Sequence, residues 1–126
     1  MRHFIAYHNA AKMLRSCKDF TRPQVRTKNL VEGLDGVTVW LIAGEGESPK
    51  SFFLASVFVA NECKQGYFPE PALPNLIAGK GELFGYSIPL NESVLYKKLN
   101  KDSTNFRRGF YETHDISIIA GLKALV

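Results

Sequence analysis

No Cys-x-x-Cys pair occurs in the chain, and its two cysteines, Cys17 and Cys63, stand alone. His3, His8 and His114 lack the spacing of a zinc motif. The opening stretch MRHFIAYHNAAKML is too short for a signal peptide and is interrupted by His8, Asn9 and Lys12. Without a secretory signal, two reduced thiols are expected rather than a disulfide. No apolar run reaches the roughly 20 residues of a membrane helix. No repeat, linker or low-complexity segment interrupts the sequence. These absences lead to the expectation of a soluble, cytoplasmic protein with no metal and no other cofactor.

What remains is ordinary globular material. The chain has 126 residues, 45% hydrophobic and 22% charged, so one domain spanning residues 1–126 is expected. A chain of this size hides roughly two-thirds of its unfolded surface, enough for its own core. The net charge is +4 and unevenly spread. Residues 1–30 carry Arg2, Lys12, Arg15, Lys18, Arg22, Arg26 and Lys28 against Asp19 alone. Residues 97–108 carry Lys97, Lys98, Lys101, Arg107 and Arg108 against Asp102. Residues 32–62 are acidic, with Glu32, Asp35, Glu45, Glu47 and Glu62 against Lys50. Either the two basic segments meet in space and attract a polyanion, or they are separate solvated surfaces.

HFIAYH (3–8) reads as a strand. NAAKMLRSC (9–17) reads as a short helix with Asn9 as a candidate N-cap. The polar stretch after it, with Pro23, argues against a long helix, and LVEGL reads as one helical turn. VTVWLIAGE (37–45) and SFFLASVFVANEC (51–63) are the strongest strands, the second apolar on both faces as in a central strand. KQGYFPEPALPNLIAGKG (64–81), with three prolines and three glycines, reads as a loop. ELFGYSIPL (82–90) reads as a strand. NESVLYKKL (91–99) reads as a helix capped by Asn91. NKDSTNFRRGFYE is polar, anchored by Phe106 and Phe110. THDISIIAGLKAL reads as a final helix, capped by Thr113 or Asp115, with Ile116, Ile119, Leu122 and Leu125 as its apolar stripe.

GEGESPK, between the two strongest strands, raises the question of a phosphate loop. A P-loop needs GxxxxGK[ST], and a dinucleotide fingerprint needs GxGxxG before a helix. Neither is present, Glu45 and Glu47 would repel phosphate, and a strand follows. The segment reads as the turn of an antiparallel hairpin. The order of elements fits an α+β fold, a small partly open β-barrel with flanking helices.

FIAYHN, then RPQVRTKNLVEGLDGVTVWLIAGEGESPKSFFLASVFVANE, then GYSIPLNESVLYKKL together resemble the PUA-like superfamily, nearest its EVE branch. The resemblance covers most of the chain. The opening strand lacks the tryptophan and the acidic-proline pair of the EVE pattern, and Asp35-Gly36 reverses its Gly-Asp corner. The resemblance implies a PUA-like barrel that binds DNA or RNA and accepts a flipped, often modified, base. Such a module works either alone or beside a separately encoded effector such as a nuclease, with no membrane partner.

A flipped base needs an aromatic or apolar sandwich, polar groups for its edge and cations for its phosphates. Tyr7, His8 and Asn9 fall where the EVE pattern places its pocket turn. Asn9 either pairs with a base edge or only caps a helix, and Tyr7 either stacks or fills core. Trp40, the one tryptophan, is either a stacking platform or core. Phe52 begins the returning strand and completes the expected base pocket. Arg26, Lys28 and Asn29 stand in the place of the family's basic stretch, and Arg107 and Arg108 form a second candidate phosphate clamp. No catalytic residues are assigned. One alternative is a small ASCH-type nucleoside amidohydrolase using Thr27, Lys28 and Glu62. Another is a protein-interaction or antitoxin-like module without a pocket.

Overall fold

The computed structural model describes residues 2–9, 22–46, 50–69, 71–85, 87–91 and 93–126. Its strands are β1 (His3–Asn9), β2 (Gln24–Thr27), β3 (Thr38–Glu45), β4 (Ser51–Lys64), β5 (Asn75–Leu83) and β6 (Phe110–Thr113). The helices are α1 (Val94–Asp102), between β5 and β6, and α2 (Ile116–Ala124), after β6. All six strands form one sheet in the order β2-β5-β4-β3-β1-β6. The fold is mixed α+β, a curled half-barrel sheet with two helices among the described residues. None of these helices is long and apolar enough to cross a membrane.

β3 and β4 form the expected antiparallel hairpin, and Gly46, at φ +73°, opens its turn. β1 lies parallel to β3, with Ile5 beside Trp40 and Tyr7 beside Ile42. Its other edge takes β6 antiparallel, with Phe4 opposite Glu112. Alternation along these strands divides the core in two. One cluster holds Phe4, Ala6, Val39, Leu41, Phe58 and Ile77. Val25 of β2 and Phe110 of β6, from the two edge strands, belong to the same cluster. The sheet therefore curls toward this face, which is its inside. Val31, Leu34 and Val37, from the turns of residues 30–37, pack across that inside. The outside carries Ile5, Trp40, Ile42, Phe52 and Leu54 under Leu99 of α1 and Ile118 and Leu122 of α2.

Several expectations are corrected. Residues 75–81, expected within a loop, belong to β5 (Asn75–Leu83), with Leu76, Ile77 and Ala78 fully buried. Its glycines are not turn punctuation. A Cβ at Gly79 would overlap the Val59 carbonyl oxygen, and one at Gly81 would overlap that of Val57. Glycine is what lets β5 press this closely on β4, beside a bulge at Ala60–Glu62. The strand expected at 82–90 is replaced by the end of β5 and a short return in which Leu54 and Leu90 donate to Ile88 and Phe52 carbonyls. QVRT (24–27), in the stretch that Pro23 keeps from being a long helix, is an edge strand, and LVEGL, expected as a helical turn, forms turns. β6 was not anticipated, although Phe106 and Phe110 are buried as anchors. α1 is capped by Ser93, while Asn91 accepts from the Phe52 amide. Asp115 caps α2 as expected, but its stripe is Ile118 and Leu122, and Ile116 is 81% exposed. From Ala10 onward the helix expected at 9–17 lies outside the described residues, as does Cys17.

Candidate functional site

The two edges of the curled sheet approach each other at one point. Just after β2, Asn29 Nδ2 donates to the Phe110 carbonyl at 2.8 Å, a bond between residues 81 apart in sequence. Asn29 is itself held in place. Its amide donates to Thr27 Oγ1 and its carbonyl accepts from Asn75 Nδ2. Beside this seam lies an open cleft of about 500 Å³. Phe4 and Phe110, stacked at 5.1 Å, form its floor with Leu34. Leu30, 76% exposed, forms one lip. Arg2, Arg108 and Glu112 supply the charge.

The two arginines are in different electrostatic states. Arg2 grips Glu112 with a two-pronged fork, Nε to Oε2 at 3.1 Å and Nη2 to Oε1 at 2.9 Å. That fork holds the Glu112 carboxyl below its ordinary range, the hydrogen bond from Arg2 being the main cause. The Arg108 guanidinium instead lies 4.2 Å over the Tyr111 ring and donates to the Asp102 carbonyl at 3.4 Å. The Asp102 carboxylate accepts from the Tyr111 hydroxyl and from Thr113 Oγ1. Burial pushes the Tyr111 hydroxyl up, and its bond to Asp102 pushes it further. Among the described residues Arg108 has no carboxylate partner.

The residues expected in a base pocket divide between the two faces. Tyr7, Trp40 and Phe52 share the outer face. Tyr7 and Phe52 rings are 6.0 Å apart, and both stack on Phe106, at 4.9 and 5.0 Å. Burial, then the neighbouring Tyr96 and Glu45, push the Tyr7 hydroxyl up to about 12. Trp40 is 3% exposed, and its Nε1 donates to His3 Nδ1 at 3.1 Å. His3 titrates below its ordinary value, chiefly through burial. His8, one residue on from Tyr7, is buried and points to the inner face. Asn9 ends β1 opposite Gly44, and its side chain lies outside the described placements.

The expected phosphate-binding residues also separate into groups. Asn29 and Arg108 meet in the seam cleft. Arg107 and Lys28 are exposed. Arg26 is turned onto the Phe68 ring at 3.8 Å and donates to the Leu73 carbonyl, away from the cleft. Thr27, Lys28 and Glu62 do not meet. Thr27 is buried on the inner side, Lys28 is exposed, and Glu62 points outward into an ion pair with Arg22 at 2.7 Å and Lys64 at 3.2 Å. No group of metal ligands occurs among the described residues.

Arg2, Phe4, Leu30, Leu34, Phe110 and Glu112 line the cleft without having been singled out in the sequence. Phe110 was visible only as a hydrophobic anchor, and Phe4 only as part of the first strand. Arg2 and Glu112 carried no local signal, because their pairing follows from the β1–β6 register. No protein-family model matches this chain, and no curated protein matches it.

Proposed function

We propose that this chain is a nucleic-acid-binding module of PUA-like type, nearest the EVE branch, whose seam cleft accepts a base unstacked from DNA or RNA. The seam cleft carries the proposal. Its volume lies within the range of ligand sites, about 300–1,000 Å³. It combines an apolar floor of Phe4, Phe110 and Leu34 with the Asn29 side-chain carboxamide and the Arg108 guanidinium. Those are the three needs of an unstacked nucleotide, namely a surface to cover the ring, polar groups for its edge and a cation for its phosphate. The net charge of +4 favours a polyanionic partner. Tyr7, Trp40 and Phe52 then act as the packed support beneath α1 and the turn that carries Arg108.

The test is binding of labelled single-stranded DNA and RNA oligonucleotides, with and without modified bases, between about 50 and 200 mM salt. Affinity is expected to fall with salt by a logarithmic slope of about 0.7 per neutralised phosphate. Leu30→Glu, at a position 76% exposed, places a carboxylate on the lip and is expected to weaken binding about tenfold or more. Binding indifferent both to salt and to Leu30→Glu would refute the reading, as would no binding to any oligonucleotide.

A further inference from the structure

Three consecutive non-glycine residues, Thr104, Asn105 and Phe106, have φ of 54°, 57° and 62°. A side chain at such a φ crowds the following carbonyl oxygen, so each of these left-handed residues is disfavoured locally. Such strain persists only where the surroundings over-determine it. Here they do so from two sides. Phe106 is 6% exposed, wedged against Tyr7 and Phe52. The polar side is equally fixed. The Asn105 amide donates to the Asn100 carbonyl at 2.7 Å, Asn100 Nδ2 to Asn105 Oδ1 at 3.0 Å, and the Phe106 amide to Ser103 Oγ at 2.9 Å.

We propose that this left-handed turn is a mount that fixes Arg108 as a phosphate clamp, so that the seam cleft takes a nucleotide as a unit and not a bare base. The inference rests on the nucleic-acid-binding reading. The turn runs directly into β6, and Arg108 leaves it at the cleft. Its amide is tied to the Ser103 carbonyl at 3.2 Å and its guanidinium carbon lies over the Tyr111 ring, 4.2 Å from the centroid. Of the five N–H donors of a guanidinium one is bonded to the Asp102 carbonyl, and among the described residues no other bond takes the remaining four. Tyr111 is in turn held by the Asp102 carboxylate, which thus steadies the ring under the guanidinium, and among the described residues no carboxylate forms an ion pair with Arg108. The amides of residues 104–108 all have internal acceptors, so an anion here is held by the side chain and not by a backbone nest. A phosphate matches the fork with two parallel bonds. Arg2 cannot take this role without leaving Glu112.

The experiment titrates a nucleoside, its 5′-monophosphate, inorganic phosphate, a glutamate-rich peptide and a single-stranded oligonucleotide against the full chain and its Arg108→Lys variant. The arginine side-chain N–H signals are followed by NMR. The monophosphate is expected to bind about tenfold more tightly than the nucleoside and to shift the Arg108 Nε–H signal. Arg108→Lys keeps the charge but loses the fork and the stack, and the preference should collapse. Asn105→Gly relieves the strained backbone and removes a bond of the mount. It is expected to reduce monophosphate affinity severalfold without lowering the melting temperature. Equal affinity for nucleoside and monophosphate would overturn the clamp. So would full preference in Arg108→Lys, unchanged binding in Asn105→Gly, or phosphate or the acidic peptide binding as tightly as the nucleotide. In those cases continued oligonucleotide binding leaves the broader reading standing. Loss of oligonucleotide binding in the unmodified chain removes both.

Discussion

Arg2 and Arg108 share a cleft and a formal charge, yet among the described residues only Arg2 has a carboxylate partner. Arg2 is neutralised by Glu112 across the β1–β6 pair, while Arg108 is braced on an aromatic ring. Availability is set by what each side chain already holds. The same logic governs Tyr7. Its hydroxyl is pushed up to about 12 from an ordinary 10.0, principally by burial among aromatic rings. The unfolded chain therefore loses this proton at a lower pH than the folded one does. The stability linked to it is complete below pH 10.0 and disappears as pH rises toward about 12. Urea midpoints measured across that window should fall, and Tyr7→Phe should make the fall shallower. An unchanged slope in Tyr7→Phe would mean that the tyrosine keeps its ordinary proton affinity in the fold.

At the scale of elements, β5 shows how a strand can be hidden by its own glycines. Gly79 and Gly81 are required because Val59 and Val57 carbonyls occupy the space a side chain would need. Gly81→Ala is expected to destabilise the fold by about 1–3 kcal/mol, as overpacking does. Lys80→Ala, at an exposed neighbour, should stay within about 0.5 kcal/mol. Equal effects in chemical denaturation would show that β5 does not pass this close to β4. β3 and β4 were legible because their long apolar runs and the glycine turn between them are local signals. The capping of α2 by Asp115 was legible for the same reason. β5 was not, because glycine and proline near a loop read as punctuation. Nor was β6, whose four residues follow a left-handed turn of Thr104, Asn105 and Phe106 that local preference disfavours. In α2, Ile116 fits the apolar period but lies on the first turn, facing away from Ile118 and Leu122. Asn29 and Arg108 were both legible as polar candidates. Their meeting was not, since it depends on a bond spanning 81 residues.

At the scale of the molecule, sequence order and sheet order disagree. β1 is made first but lies between β3 and β6, and its last neighbour, β6, comes near the end of the chain. The apolar outer face of Ile5, Trp40, Ile42, Phe52 and Leu54 is covered by Leu99, Ile118 and Leu122. During synthesis on the ribosome, a nascent chain that has emerged only through Leu90 carries this face without its cover. The hairpin of β3 and β4 is free to form early, whereas the seam closes only after Phe110 has emerged. Pairings this distant are slow to find and leave a sticky intermediate in the meantime. A chain ending at Leu90 should bind the dye ANS strongly and aggregate at concentrations where the full chain stays dispersed. If it remained monodisperse and dark to the dye, the outer face would be covered from within residues 1–90. Birth order thus gives the outer face its own hazard: the growing protein is most vulnerable just before the segment that covers this face and closes the seam arrives.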